Sequence, residues 1–258
     1  MDTPALIAGK QKHYTDLAAT VDAVPKPTGS PAERVARACR VLARHGHGAG
    51  LAGQITARHD SAPDTFWTQS LGLTLDEAAA DDQNRVTFQL ELIEGRGPVN
   101  LANRFHGWIY AHRPDVAAIV HTHAKHSAAL SMLGKPLTIQ QMDVMPLYDD
   151  VGWLPSWPGV PYGDEEGRII LEALGDKRAI LLAHHGLLTT GRSVEEAAYL
   201  ATVFEHAARL QLLAMSAGTV CEVPADLGQD ARAHAASEHY ALAHYDALAR
   251  ALARDILR

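Results

Sequence analysis

Two short apolar runs, residues 116–120 (VAAIV) and Ala179–Leu182 (AILL), each lead straight into histidines: His121-Thr122-His123 after the first, His184-His185-Gly186 after the second. Runs of four or five apolar residues suit buried strands. Alternate side chains share a face of a strand, so His121 and His123 project together while Thr122 points away. Two imidazoles can then hold one cation. A catalytic zinc-type site uses three protein ligands and leaves a position open for water or substrate. His185 is the third candidate. It ends the second run and precedes Gly186, which lets the backbone turn tightly beneath the site. This reading requires the strands ending at His121 and His185 to run side by side.

A lone His-x-His at a strand end reads more simply as one solvated ring and one bonded to a carbonyl. The second histidine-bearing strand end tips the reading toward a metal. His184 is an alternative ligand, although it faces the other way if the strand continues. Of the 15 histidines, His13, His45, His47, His59, His112, His234, His239 and His244 fall on arms, turns or helix faces and read as surface or core residues.

The remaining pattern alternates helices and strands within one core-sized length of 258 residues. Residues 1–30 show no sustained periodicity and read as an N-terminal arm ending in a loop, with residues 31–258 as a single domain. Ser30-Pro31-Ala32-Glu33 opens a helix to about Arg44. Residues 51–57 and 65–68 form a hairpin around Asp60-Ser61-Ala62-Pro63-Asp64, and 86–92 is a further strand. A helix spans 102–112, and 127–133 also reads as helical. Residues 135–163, with five prolines and three glycines, form one long loop region. A helix over 165–174 stops at Gly175, Ser193-Val194-Glu195-Glu196 caps a long helix to about Ala217, and the last ~25 residues form a final helix.

Net charge -7 and pI ≈ 6.1 leave no basic surface for a phosphate backbone, which argues against nucleic acid. No apolar run approaches the ~20 residues that cross a bilayer. The first residues lack a charged segment followed by an apolar one, so a cytoplasmic location is expected. Cys39 and Cys221 fit no metal-binding spacing and read as buried thiols.

Four segments carry a resemblance: LAGQITAR (51–58), FWTQSLGL (66–73), RFHGWIYAHRPDVAAIVHTHAKHSAALS (104–131) and LLAHHGLLTTG (181–191). In this order and spacing they resemble the class II aldolase/adducin family over residues 32–218. The resemblance implies a three-layer α/β/α sandwich on a largely antiparallel sheet, and a homotetramer with the active site near a subunit interface. It also implies one divalent metal ion per subunit on His121, His123 and His185, with zinc first and iron, manganese or cobalt as alternatives. Gln54 occupies the position of an asparagine that binds substrate phosphate in the aldolases. Ser70, Arg104 and His126 join it as candidate substrate contacts, Arg104 by holding a carboxylate through two parallel hydrogen bonds or, equally, by a surface salt bridge.

The chain departs from the aldolases in two places, one of them the tyrosine expected some twenty positions after His121-Thr122-His123, where Gln141 and Met142 stand instead. Where they carry Ser-Ser-Glu, with the glutamate moving the proton, this sequence reads Asn100-Leu101-Ala102. Alanine does no acid–base work. Tyr148-Asp149-Asp150 resembles the adducin-like branch, which also resembles an iron-dependent oxygenase of aminocoumarin biosynthesis and has relatives that decarboxylate aromatic or pyridine acids. His106, Tyr148 and Asp149 are the candidate catalytic residues, with His126 a further proton carrier. A metal-dependent carbon–carbon lyase acting on a small keto or hydroxy acid through an enolate is the expected function. The alternatives are a non-haem Fe(II) oxygenase of an aryl-pyruvate or mandelate-like acid, and a non-catalytic adducin-like interaction protein. No nucleic acid or membrane partner is expected.

Overall fold

Ser30 caps the first helix of the core. Its hydroxyl accepts from the Glu33 backbone N–H (3.3 Å) and the Glu33 carboxylate accepts from the Ser30 N–H (2.7 Å), so two otherwise orphaned donors are satisfied reciprocally. The helix they open, α2 (Pro31–Leu42), turns Val35, Ala38, Cys39 and Leu42 into the core. The computed structural model describes residues 3–22, 27–160 and 162–256.

The strands are β1 (Gln54–His59), β2 (Ala62–Gln69), β3 (Gln83–Thr87), β4 (Leu92–Glu94), β5 (Ala118–Thr122), β6 (Val151–Leu154), β7 (Ala179–Leu182) and β8 (Gly186–Gly191). They form one sheet in the order β4-β3-β2-β1-β5-β8-β7-β6, antiparallel throughout except for β6 beside β7. Helices α3 (Arg104–His112) and α5 (Asp164–Leu174) cover one face; α2, α4 (Lys125–Ser131), α6 (Val194–Ala217) and α8 (Glu238–Ile256) cover the other. Strand β5 shows the division residue by residue: Ala118 and Val120 pack among the α2 and α6 side chains, whereas Ile119 packs with Phe105 and Ile109 of α3. The expected three-layer sandwich on a largely antiparallel sheet is the observed fold.

Several local expectations change. Residues Thr3–Asp22, within the stretch read as an arm, form a helix, α1; its Tyr14 hydroxyl donates to Asp230 (3.1 Å) and its ring stacks on His234 of α7 (Ala225–Ala235). The 135–163 region contains a 3-10 turn (Met142–Leu147) and the edge strand β6. Gly152 in β6 is glycine because a Cβ there would meet the Ala173 carbonyl at 2.7 Å. The last ~25 residues form one helix, α8, as expected, preceded by α7, and Cys221 is exposed while Cys39 is buried. Among the described residues no helix is long and apolar enough to cross a membrane.

The strands ending at His121 and His185 are not neighbours. The chain reverses at residues 183–185 and β8 runs back between β7 and β5, pairing Leu188 with His121. Strands β5 and β7 therefore point the same way with β8 between them, and both histidine ends reach the same rim of the sheet.

Candidate metal centre

His121, His123 and His185 present ring nitrogens that all lie within 4.8 Å of one another, and they form the sole such group of three or more potential metal ligands among the described residues. The Nε2 atoms of His121 and His123 are 3.1 Å apart. Two nitrogens bound tetrahedrally to zinc at about 2.0–2.1 Å sit roughly 3.4 Å apart, so the cluster has the dimensions of a coordination site. His121 is fixed from behind: its Nδ1–H donates to the Leu187 carbonyl at 2.8 Å, which leaves Nε2 as the free lone pair. Burial holds the His121 ring well below the ordinary histidine range, with the two neighbouring rings adding to the effect. Burial likewise lowers His123 and brings His185 down to about 4. All three rings are thus neutral at neutral pH, the state in which imidazole binds metal.

Gly186 contributes by what it lacks. A Cβ there would collide with the Thr122 carbonyl and meet His123 Cδ2 at 2.9 Å. The exposed neighbour His184 adopts a left-handed conformation (φ 55) in the turn, with its backbone N–H donating to the Ser131 carbonyl. Helix α4 consequently crosses the metal rim, from the end of β5 to the turn that carries His185.

Under the site lies a buried polar column. The Tyr110 hydroxyl accepts from the Ile119 backbone N–H and lies 2.8 Å from Thr56 Oγ1, which lies 2.9 Å from His106 Nδ1. The hydroxyl protons can run from Tyr110 through Thr56 to His106 Nδ1 or in the reverse sense, according to whether the other ring nitrogen of His106, Nε2, carries the proton. That atom has no protein partner. The His106 ring is fully buried, 6.5 Å from that of His121, and burial lowers its pKa to about 3. Gln54 pairs with His121 across β1 and β5 and has an unpartnered, buried Oε1.

The other candidates disperse. Ser70 donates to the Asp82 carbonyl (2.7 Å) at the same rim. Arg104 binds Asp164 and the Phe88 carbonyl, both at 2.6 Å, which is the salt-bridge reading rather than a free carboxylate clamp. Tyr148 and Asp149 precede β6, at the end of the sheet away from the histidines. The Tyr148 ring packs on Gly228 of α7, and Asp149 is exposed beside Lys177. Within one chain neither joins the cluster. Asp150 is buried in an ion network with Arg178 and Arg232. His126 sits in the first turn of α4 with Nδ1 2.7 Å from Glu205.

Sequence reasoning did not single out His47, Gln69 or Glu205. His47 bonds Thr122, between two of the histidines, at 2.8 Å. The Gln69 amide bridges the Gly53 carbonyl and the Ile55 N–H. Glu205 accepts from the backbone of His126 and Ser127. Their partners are 14 to 79 positions away, and no local pattern announces such pairs.

Residues 33–212 match the model of the Class II Aldolase and Adducin N-terminal domain. The chain belongs to this family. Among its class II aldolase/adducin relatives, "Decarboxylase NovR" of Streptomyces niveus is 33% identical over 182 residues, covering 70% of this chain and 67% of that protein. The "4-hydroxy-3-prenylphenylpyruvate oxygenase/4-hydroxy-3-prenylbenzoate synthase" of Streptomyces roseochromogenus subsp. oscitans is 32% identical over 182 residues, covering 70% and 66%. The chain thus spans about two thirds of each of these relatives. Among solved structures, L-fuculose 1-phosphate aldolase from Glaciozyma antarctica PI12 superposes with a TM-score of 0.81 at 29% identity, covering 92% of this chain and 96% of that one.

Proposed function

We propose that this class II aldolase/adducin domain is a metal-dependent carbon–carbon lyase of the decarboxylase type, acting on a small keto or hydroxy-aromatic acid. The observation that carries the reading is the triad of neutral imidazoles, one of them locked by Leu187 with its Nε2 free, in a chain whose position 102 is alanine. A divalent cation bound there supplies a Lewis acid that polarises a carbonyl or phenolic oxygen. Decarboxylation needs such an electron sink and a proton donor but no base to start it, so it tolerates Ala102 where aldol cleavage does not. His121, His123 and His185 are the ligands of this proposal; Gln54, with its unpartnered Oε1, is the substrate contact beside His121, and Ser70 shapes the rim. Similarity to a protein named a decarboxylase supports the reading. Zinc, a homotetramer with the site near a subunit interface, and a cytoplasmic location belong to the same proposal.

The test is elemental analysis of the purified protein, followed by carbon dioxide release from a panel of keto and hydroxy-aromatic acids. Release that is abolished by chelation and restored by metal supports the lyase; a full panel without release by the metal-loaded protein defeats it. A second reading, a non-haem Fe(II) oxygenase, draws on the similarity to the prenylphenylpyruvate oxygenase. It demands oxygen uptake with Fe(II) and an aryl-pyruvate, and is set aside if the electrode trace stays flat.

A further inference from the structure

His47 is the one buried side chain of residues 44–50, a glycine-rich turn that is otherwise exposed. Helix α2 ends at Leu42, and Gly46, with a left-handed backbone (φ 84), breaks the loose turn that follows and lets the His47 ring enter the core. There the ring is fully buried, with Nδ1 2.8 Å from Thr122 Oγ1. Its Nε2 has no partner among the described residues. A buried imidazole with one nitrogen unpaired costs stability relative to an apolar side chain of similar size. Packing alone therefore does not account for a histidine at this position. What the imidazole adds is the bond to Thr122.

Thr122 stands between two of the proposed metal ligands. Side chains alternate along a strand, so its hydroxyl meets His47 on one side of the sheet while the His121 ring turns to the other, edge-on to Phe105 of α3 at 5.2 Å. The pairing that holds β5 ends at Thr122, opposite Leu187 of β8, and His123 follows one residue beyond it. Two glycines lie close against the same residue. A Cβ at Gly53 would stand 3.2 Å from the His121 carbonyl and 3.4 Å from Thr122 Cγ2, and one at Gly186 would collide with the Thr122 carbonyl. The backbone of the segment is thus closely packed by its neighbours, and His47 holds its side chain. Because the three residues share one backbone, a rotation of Thr122 about the strand axis carries both flanking rings with it.

We propose that His47 is a positioning residue of the metal centre, fixing through Thr122 the strand end at which His121 and His123 meet. It bonds the threonine of that segment rather than its imidazoles. The assignment rests on the metal site of the lyase reading and not on the reaction carried out there. Metal affinity accordingly depends on the bond between His47 and Thr122, over and above any effect of that bond on folding.

Zinc affinity, measured by competition with a chromophoric chelator, tests this, with the thermal midpoint of each metal-free protein recorded alongside. Thr122→Val keeps the shape of the side chain and removes the hydroxyl, whereas Thr122→Ser keeps the hydroxyl. His47→Leu removes both ring nitrogens, whereas His47→Asn keeps a polar atom near the place of Nδ1. Val41→Ala, which opens a cavity in the buried face of α2 without removing a hydrogen bond, controls for destabilisation. Thr122→Val and His47→Leu are each expected to weaken zinc binding by about 10- to 100-fold, the range for groups that orient metal ligands. The double variant is expected to weaken it no further than either alone. Thr122→Ser and His47→Asn are expected to stay close to native affinity, and Val41→Ala to lose thermal stability with affinity intact. Native affinity in Thr122→Val overturns the assignment, as does an equal loss in Val41→Ala, which would make affinity a mere follower of stability. Thr122→Val is isosteric, so it decides the matter even where His47→Leu does not fold. A native protein that binds no zinc overturns the metal site and this assignment together; native binding with unchanged affinity in Thr122→Val overturns the assignment alone.

Discussion

The Nε2 atoms of His121 and His123 face each other at 3.1 Å across the end of a single strand. Because His121 already spends its Nδ1 proton on Leu187, its Nε2 is a lone pair, and a proton or a cation must sit between the two rings. This relationship sets the first expectation. His123→Ala removes one of three ligands while leaving the buried His121 in place, so the purified variant is expected to hold less than about a tenth of the native metal content by elemental analysis. Native-level metal in this variant would remove His123 from the site.

Gly186→Ala tests the crowding beneath the triad. The added methyl has the Thr122 carbonyl and the His123 ring in its way, and relieving it means moving β8 off β5. Overpacking of this kind costs about 1–3 kcal/mol, so urea unfolding is expected to shift by that amount together with a loss of metal affinity. A variant with native stability and affinity would show that the rim yields freely.

Acid sensitivity follows from the histidines buried neutral. His47 is lowered to about 4 and His106 to about 3 from 6.5, both by burial. Below pH 6.5 the unfolded chain binds these protons and the folded one does not, so their contribution is present above 6.5 and is lost as pH falls through their folded values. Each group adds up to about 1.4 kcal/mol per pH unit to the slope. Chemical denaturation of the metal-free protein between pH 7 and 4.5 is expected to show this fall, and His106→Asn to flatten it; a pH-independent stability would contradict neutral burial.

Arg178 is expected to matter for stability and not for metal. It bonds Asp150 at 2.6 Å and Glu196 at 3.3 Å, and its guanidinium also donates to the Pro146 and Ala236 carbonyls. Replacement by leucine leaves two buried carboxylates short of a partner, at a cost of about 3 kcal/mol. The thermal midpoint should drop while metal stoichiometry holds; a coupled loss of metal would tie this network to the site.

On the resemblance read from the sequence, Ala102→Glu places a carboxylate at the aldolases' acid position, with Asn100 and Leu101 left unchanged in the places of their serines. The variant is expected to show no cleavage of fuculose 1-phosphate in a coupled aldehyde assay. Cleavage at a measurable rate would return the chain to the aldolases.

Strand β7 was legible to the residue because an unbroken apolar run bounded by turn residues has few other uses, and α2 because its capping box is local. Strand β8 was missed: Leu187 to Thr190 is indistinct as a pattern and becomes a strand only between β5 and β7. The α1 helix went unread because its apolar residues do not line one face. Tyr148 and Asp149 looked like site residues for their chemistry, yet distance along a strand, which the order of letters does not encode, sets them at the opposite end.

The sequence by itself determined that His121 and His123 share a face, through strand periodicity within one short segment, while the family and the layering of helices on a sheet came from the resemblance of four segments to a known family. Only the tertiary structure decided that His185 arrives by way of an intervening strand, that Arg104 is spent on Asp164, and that Glu205 turns the His126 ring. Those are contacts between segments some 60 to 80 residues apart, fixed by strand order and helix packing rather than by anything in the flanking residues.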